Sequence, residues 1–186
     1  MNTLYCVSFG DVDGKMISAV EEHLADTFNL ETRRMESLQL PAETYDAQAR
    51  QYNSEKFLRI LRRTYPSDEM RVLGMTTVDL FIPMLSFVFG QAQLQGRVAI
   101  VSSARMRQEF YDLPGDDFLT TQRMLKESVH EIGHTFGLTH CLDKRCPMSL
   151  STNVVSTDAK GIHLCGSCRI ALRVFQESSV TVKGRI

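Results

Sequence analysis

Three histidines and a glutamate lie close together in residues 130–141, which read HEIGHTFGLTHC. His130 and His134 are four residues apart, so on a helix they are neighbours on one face, about 6 Å apart along the axis. That spacing suits two imidazoles that bind one zinc ion. Glu131 lies at the edge of the same face, where it can reach a water molecule rather than the metal. These residues indicate a catalytic zinc site with Glu131 as the general base.

A third histidine follows the end of this helix. Gly137 can adopt the left-handed conformation that ends a helix and turns the chain. The turn allows His140 to approach the same metal as His130 and His134. Three protein ligands leave the fourth tetrahedral position open for water, which is typical of a catalytic rather than a structural zinc.

The helix that presents these residues is predicted over residues 118–136. A turn signal at residues 113–115 precedes it, and Asp116 or Asp117 can cap its first turn. Its apolar positions recur at helical spacing and are expected to face the core: Leu125, Val129, Ile132 and Phe136. His130 and His134 fall nearly opposite that stripe, so the core holds one side of the helix while both histidines face away from it.

Four cysteines follow at spacings that suit a second metal site. Cys141 and Cys146 form a C-x4-C pair, Cys165 and Cys168 form a C-x2-C pair, and together they can complete a closed four-thiolate tetrahedron. The alternatives are disulfides and a thioredoxin-type redox pair. The lack of a secretory signal argues against disulfides, and the place of the second pair beyond a metal motif argues against redox. Cys6 lies in an apolar, strand-like run and is expected to be a small buried hydrophobe.

The combined pattern resembles the metzincin clan of zinc metallopeptidases and, within it, the archaemetzincin family. The metzincin pattern HExxHxxGxxH is complete, and Met148 lies eight residues after His140, in the place of the Met-turn methionine. Sixteen residues then separate Met148 from Cys165. The specific resemblance covers residues 130–168, where the metzincin helix is coupled to four cysteines.

The resemblance implies a fold, a domain organisation and two metals. The fold would be of the α/β (α+β) class, a metzincin-like zincin fold with a twisted mixed sheet, an active-site helix and a small zinc-stabilised C-terminal portion. Residues 1–186 would form a single metallopeptidase domain, with an upper part of about residues 1–137 and a lower part of about 138–186. One catalytic zinc would be bound by the three histidines. A structural zinc would be bound by Cys141, Cys146, Cys165 and Cys168, and Met148 would pack beneath the catalytic site without binding metal.

The expected function is zinc-dependent hydrolysis of peptide bonds, in which Glu131 activates water and then returns a proton to the leaving amine. Some metzincins use a tyrosine just after the Met-turn, but all five tyrosines here precede the zinc helix. One alternative is a zinc-bearing peptide-binding protein with little or no turnover. A second is a zinc hydrolase that acts on RNA, which Glu131 disfavours because those proteins have glycine at its position. A purely structural four-cysteine module would bind one zinc per chain rather than two.

Composition narrows the partners and the compartment. The 186 residues are 43% hydrophobic and 23% charged, which is ordinary for a globular protein. The formal net charge of −1 gives no sign of a nucleic-acid-binding surface. No apolar run is long enough to span a membrane, and the N-terminal segment lacks the basic region of a signal peptide. We expect a cytoplasmic monomer that acts on a peptide or protein substrate.

Strand and helix patterns alternate ahead of the zinc helix, which favours α/β or α+β packing. The predicted elements are a strand over residues 4–9, a helix over 16–28, a strand over 30–35, a helix in the second half of 45–65, and strands over 71–76, 87–92 and 97–102. Residues 87–93 are the candidate for an edge strand that pairs with an extended peptide. The alternative for this segment is an ordinary core strand.

Overall fold

A computed structural model describes residues 3–183 of the protein, with side chains through residue 178. The strands in this range are β1 (Thr3–Phe9), β2 (Glu31–Arg34), β3 (Tyr45–Asp46), β4 (Gln51–Asn53), β5 (Arg71–Thr76), β6 (Leu80–Ile82), β7 (Leu85–Val88), β8 (Gly90–Ala92) and β9 (Val98–Ser102). The helices are α1 (Gly14–Phe28), α2 (Ser54–Thr64), α3 (Asp117–Thr135), α4 (Val154–Asp158) and α5 (Gly166–Lys183). The fold is mixed α/β, as the sequence predicts.

The main sheet has five strands in the order β2-β1-β5-β9-β8. The first four are parallel, and β8 runs antiparallel to β9 at one edge. The central strands are buried on both faces, which explains why β5 and β9 read as continuous apolar runs rather than as alternating ones. The sheet is therefore mixed, and its antiparallel edge strand is β8.

Helices cover both faces of this sheet. Leu4 and Cys6 of β1 point to the face on which α1 and α3 pack, whereas Val7 and Phe9 point to the face covered by α2. Helices α1 and α2 are amphipathic, with apolar residues recurring at helical spacing on their buried sides. Helix α3 thus lies between the sheet and the C-terminal part of the chain, and this position fixes where its histidines are held.

The prediction of one strand over residues 87–92 is wrong. β7 ends at Val88 and pairs with β6 in a four-stranded sheet of order β3-β4-β6-β7, while β8 begins at Gly90 and pairs with β9 in the main sheet. The chain passes from one sheet to the other at the buried Phe89, whose carbonyl accepts a hydrogen bond from the Ser102 N–H at 2.8 Å. Alternating side chains cannot distinguish one strand from two short ones that pair with different neighbours.

The chain after α3 packs back onto that helix. Gly137 has a φ of +85°, and its N–H donates to the His134 carbonyl at 2.9 Å, so it ends the helix in the left-handed conformation expected from the sequence. The residues beyond it then cover the side of α3 that faces away from the sheet. Among residues 3–183, no helix combines the length and the apolar character that crossing a bilayer requires.

Candidate metal centre

Helix α3 places two of the three histidines. Asp116 is its N-cap, and the Asp116 carboxylate accepts a hydrogen bond from the Leu119 N–H at 2.8 Å. Of the two candidates that the sequence offers, Asp116 and Asp117, the cap is therefore Asp116. His130 and His134 lie one turn apart, with ring centroids separated by 4.5 Å. The turn at Gly137 brings the His140 ring centroid to 5.3 Å from that of His130 and 5.1 Å from that of His134. The three predicted ligands therefore meet at one point.

The hydrogen bonds of the two helical histidines leave both Nε2 atoms facing this point. His130 Nδ1 donates to the Pro147 carbonyl at 2.9 Å, and His134 Nδ1 donates to the Leu138 carbonyl at 2.7 Å. A carbonyl can only accept, so the proton of each neutral ring is on Nδ1 and the Nε2 lone pair is free. The two Nε2 atoms are 3.0 Å apart. Two acceptors at that distance require a cation or a proton between them.

The environment disfavours the proton. Burial lowers the pKa of His130 to about 4 and also lowers the pKa of His134, so both rings are neutral near pH 7. One ring nitrogen from each of the three histidines lies within 4.8 Å of the other two. Two nitrogens bound to one tetrahedral zinc would lie about 3.3 Å apart. The donor set and its geometry therefore fit a zinc ion.

Glu131 lies beside the histidines and is buried. It lines the same cavity as His130, His134 and His140, which has a volume of about 420 Å³. Burial is the main reason that the pKa of this carboxyl is raised well above its usual range. The approach of β8 to this side chain depends on Gly90, since a Cβ there would be 2.7 Å from Glu131 Cγ. A carboxyl held next to three converging imidazoles is suited to exchange a proton with a molecule bound in the cavity.

Met148 packs directly against α3 beneath the histidines. It is fully buried, and a Cβ on Gly133 would collide with its Sδ atom. Gly133 lies between His130 and His134 on the helix, so the absence of a side chain there lets the methionine approach the backbone that carries both ligands. That Met148 supports the site remains a prediction, and its position beneath the site agrees with that role.

The four cysteines also converge. The Sγ atoms of Cys141, Cys146, Cys165 and Cys168 all lie within 4.8 Å of one another. Cys141 Sγ is 3.7 Å from Cys165 Sγ, and Cys146 Sγ is 3.8 Å from Cys168 Sγ, so neither pair is a disulfide. Thiolates 2.3 Å from a tetrahedral zinc would be about 3.8 Å apart. The cluster therefore has the dimensions of a four-thiolate zinc site.

Short backbone contacts connect the two clusters. Cys141 follows His140 in the chain, and its N–H donates to the Met148 carbonyl at 2.9 Å. Cys146 precedes Pro147, whose carbonyl accepts from His130. The segment of residues 140–148 therefore contributes to both clusters, with His140 in one and Cys141 and Cys146 in the other.

The remaining cysteine has the environment that the sequence predicts. Cys6 lies in β1, is fully buried, and is not part of the four-cysteine cluster. Burial raises the pKa of its thiol to about 12, so it is a neutral side chain in the core. The prediction of a small buried hydrophobe at this position is confirmed.

Sequence reasoning missed a buried ion pair next to the histidines. Lys160 Nζ lies 3.2 Å from Glu127 Oε1, and both side chains are almost completely buried. The position of Glu127 one turn before Glu131 offers a weak signal, because the two carboxyls share a face of α3. Lys160 follows a short helix in a polar stretch, and nothing in the sequence distinguishes it from a surface lysine.

The edge of the main sheet borders the same cavity. Gly90, Gln91 and Ala92 of β8 line it together with the histidines and Glu131. Within residues 3–183, no strand pairs with the outer edge of β8. That an extended peptide pairs there remains a prediction, now restricted to residues 90–92.

Comparisons with known proteins agree with this geometry. Residues 18–174 match Peptidase family M54. The chain is 38% identical over 159 residues to the archaemetzincin of Methanocaldococcus jannaschii, covering 86% of each chain. It is similar to the crystal structure of archaemetzincin from Methanopyrus kandleri, with a TM-score of 0.82 and 36% identity over 94% of this chain and 95% of that one. It is also similar to a zinc-dependent peptidase from Methanocorpusculum labreanum, with a TM-score of 0.80 and 30% identity over 91% and 99% of the two chains.

Proposed function

Since the chain belongs to the archaemetzincin family, the zinc metalloproteases of peptidase family M54, we propose that it hydrolyses peptide bonds with Glu131 as the general base. The catalytic zinc ligands are His130, His134 and His140. Cys141, Cys146, Cys165 and Cys168 bind a second, structural zinc. Under this proposal the protein carries two zinc ions per chain.

One observation carries the proposal. Two neutral imidazoles turn their Nε2 atoms towards each other at 3.0 Å, and each is fixed in that orientation by a hydrogen bond from Nδ1 to a backbone carbonyl. Such an arrangement is unfavourable without a metal, because two acceptors repel each other. A zinc ion at this point would supply Lewis-acid chemistry by polarising a water molecule and the scissile carbonyl.

Glu131 performs the proton transfers. Its carboxylate accepts a proton from the attacking water and then delivers that proton to the nitrogen of the leaving amine. The raised pKa that burial gives this carboxyl helps it to hold the proton between the two transfers.

An extended peptide is the substrate form that best fits the cavity. The outer edge of β8 offers backbone groups to a peptide that adds to the sheet, next to His134 and Glu131. The cavity is also lined by Phe87 and Phe89, which favours apolar side chains in the bound segment. In this arrangement the scissile bond lies between the edge strand and the histidines.

The four-cysteine cluster has a different role. A four-thiolate site leaves no open position for a substrate, so the ion there contributes to folding rather than to catalysis. Because Cys146 directly precedes Pro147 and Met148, and the Cys141 N–H donates to the Met148 carbonyl, a zinc ion bound there would also stabilise the segment that packs beneath the histidine site.

A variant of the general base tests the proposal. Glu131→Gln keeps the size of the side chain and all three histidines, so we expect unchanged zinc content and a loss of peptide hydrolysis of at least about 100-fold. Zinc content is measured by elemental analysis and hydrolysis with a library of quenched fluorescent peptides. Hydrolysis by the variant at the parental rate would refute the role of Glu131. Tight peptide binding by a zinc-loaded parent that cleaves nothing in the library would favour the peptide-binding alternative.

A further inference from the structure

The buried pair of Glu127 and Lys160 is not used in the hydrolytic reaction, although it lies next to the histidine site. The side chains are 3% and 0% exposed, and Lys160 Nζ is 3.2 Å from Glu127 Oε1. Removing two charges from water costs several kcal/mol per ion, and the attraction within a buried pair often does no more than offset that cost. Stability alone therefore gives no good account of this pair.

The Glu127 carboxylate joins three elements. Besides Lys160, its Oε1 accepts from Ser151 Oγ at 2.7 Å and from Thr157 Oγ1 at 3.1 Å. Ser151 lies in the loop after Met148, and Thr157 lies in α4. One oxygen atom on α3 therefore holds both α4 and the loop after Met148, and that loop lines the cavity.

Lys160 connects this carboxylate to a zinc ligand. Its Nζ donates to the Pro147 carbonyl at 3.0 Å, and the same carbonyl oxygen accepts from His130 Nδ1 at 2.9 Å. The two donors occupy the two lone pairs of that oxygen. The Pro147 carbonyl is thus held by Lys160 while it orients the His130 ring and fixes its tautomer.

We propose that Lys160 is a positioning residue for the histidine metal site: it holds the Pro147 carbonyl that orients His130, and Glu127 supplies the charge that keeps the ammonium buried. The proposal rests on His130 being a metal ligand. Carbonyls and carboxylates that accept from a ligating imidazole fix its orientation, and their removal typically lowers metal affinity by 10–100-fold. Lys160 acts on His130 indirectly, through the hydrogen bond that it donates to the Pro147 carbonyl.

The test is the affinity of the histidine site for cobalt(II) in the Lys160→Met variant. Methionine fills similar space but cannot donate to the Pro147 carbonyl. We expect the affinity at the histidine site to fall by about 10-fold or more. Cobalt bound by the cysteines has a thiolate-to-metal charge-transfer band, and we expect that band to be unchanged. Affinity is measured by competition with a chelator, without any peptide, so a metal-binding parent that does not hydrolyse peptides would refute the proposed function and leave this test intact.

A double variant separates positioning from simple charge balance. Lys160→Met with Glu127→Gln contains no unpaired buried charge, and the glutamine oxygen still accepts from Ser151 and Thr157. If Lys160 positions the Pro147 carbonyl, the double variant binds cobalt as weakly as Lys160→Met. Recovery of the parental affinity would overturn the proposal, because neutralising Glu127 would then be the whole role of Lys160. Since the double variant carries no unpaired carboxylate, it also provides the measurement if the single variant fails to fold.

A second buried lysine provides the control. Lys126 lies on α3, and its Nζ donates to the carbonyls of Thr157 and Asp158 at 3.2 and 3.1 Å, so neither hydrogen bond goes to the Pro147 carbonyl. Lys126→Met also removes a buried amine that holds α4, so we expect it to lower stability without changing cobalt affinity. An equal loss of affinity in Lys126→Met and Lys160→Met would mean that any loosening of this region affects the site, and would overturn the specific role of Lys160.

Discussion

Replacing Gly90 with alanine is the sharpest single perturbation of the proposed catalytic geometry. The new Cβ would be 2.7 Å from Glu131 Cγ, 2.8 Å from Glu131 Oε1 and 2.7 Å from the Ile100 carbonyl oxygen. The closest carbon contact falls at least about 0.8 Å short of the favourable distance between carbon atoms. The Ile100 carbonyl belongs to β9, an interior strand held between β5 and β8, so we expect the strain to move either β8 or Glu131.

Either movement affects the reaction more than the fold. Inserting a methyl group into a packed site costs about 1–3 kcal/mol of stability. A displacement of about 1 Å at a catalytic group can lower the rate by about 100-fold. We therefore expect Gly90→Ala to reduce kcat for a fluorescent peptide by about 10–100-fold while the three histidines retain their metal.

The assay compares kcat, KM and metal content with those of Gly14→Ala. Gly14 begins α1, where the nearest atom to a new Cβ is 4.0 Å away, so this variant makes the same substitution without the collision. We expect Gly14→Ala to behave as the parent does. If Gly90→Ala kept the parental kcat and KM, the proposal that β8 confines Glu131 would be refuted, because a methyl group at residue 90 would then not displace the general base.

Two further predictions concern the cysteines. Cys168→Ser removes one thiolate of the four-cysteine cluster, so we expect elemental analysis to find one zinc fewer per chain and the free energy of unfolding to fall. Unchanged zinc content would contradict the assignment of a structural zinc to this cluster. Burial raises the pKa of the Cys6 thiol from 9.0 to about 12, so its contribution to stability is complete below pH 9 and is lost as the pH rises towards 12. From pH 8 to pH 10, the free energy of unfolding measured with urea should fall by about 1 kcal/mol more in the parent than in Cys6→Ala. Equal decreases in the two proteins would disprove the raised pKa of this thiol.

The sequence predicts the residues that are fixed by local geometry. The spacing of His130 and His134 defines one helical face, and the glycine at 137 defines the turn that returns His140. The prediction that both histidines face away from the core is correct only in part, because the opposite side of α3 is also covered. His130 and Glu131 are buried there, beneath the chain that follows Gly137.

Contacts between distant segments could not be predicted in the same way. Glu127 and Lys160 are 33 residues apart, and their pairing depends on how α4 packs against α3. The break at Phe89 depends on which strands pair with β7 and β8, and the side-chain pattern of residues 87–92 is the same for either pairing. In both cases the information lies in tertiary packing rather than in periodicity or motif.

The segment formed by Cys146, Pro147 and Met148 gives the two clusters a thermodynamic relationship. Cys146 belongs to the four-cysteine cluster, the Pro147 carbonyl accepts a hydrogen bond from His130, and Met148 packs against Gly133 in the helix turn between His130 and His134. With zinc at both sites, filling either one orders the residues that the other needs. Such coupling is reciprocal, so a chelator that empties the thiolate cluster weakens the histidine site by the same factor by which metal at the histidines protects the cluster. If both proposed sites hold zinc, we therefore expect each metal to raise the affinity of the protein for the other.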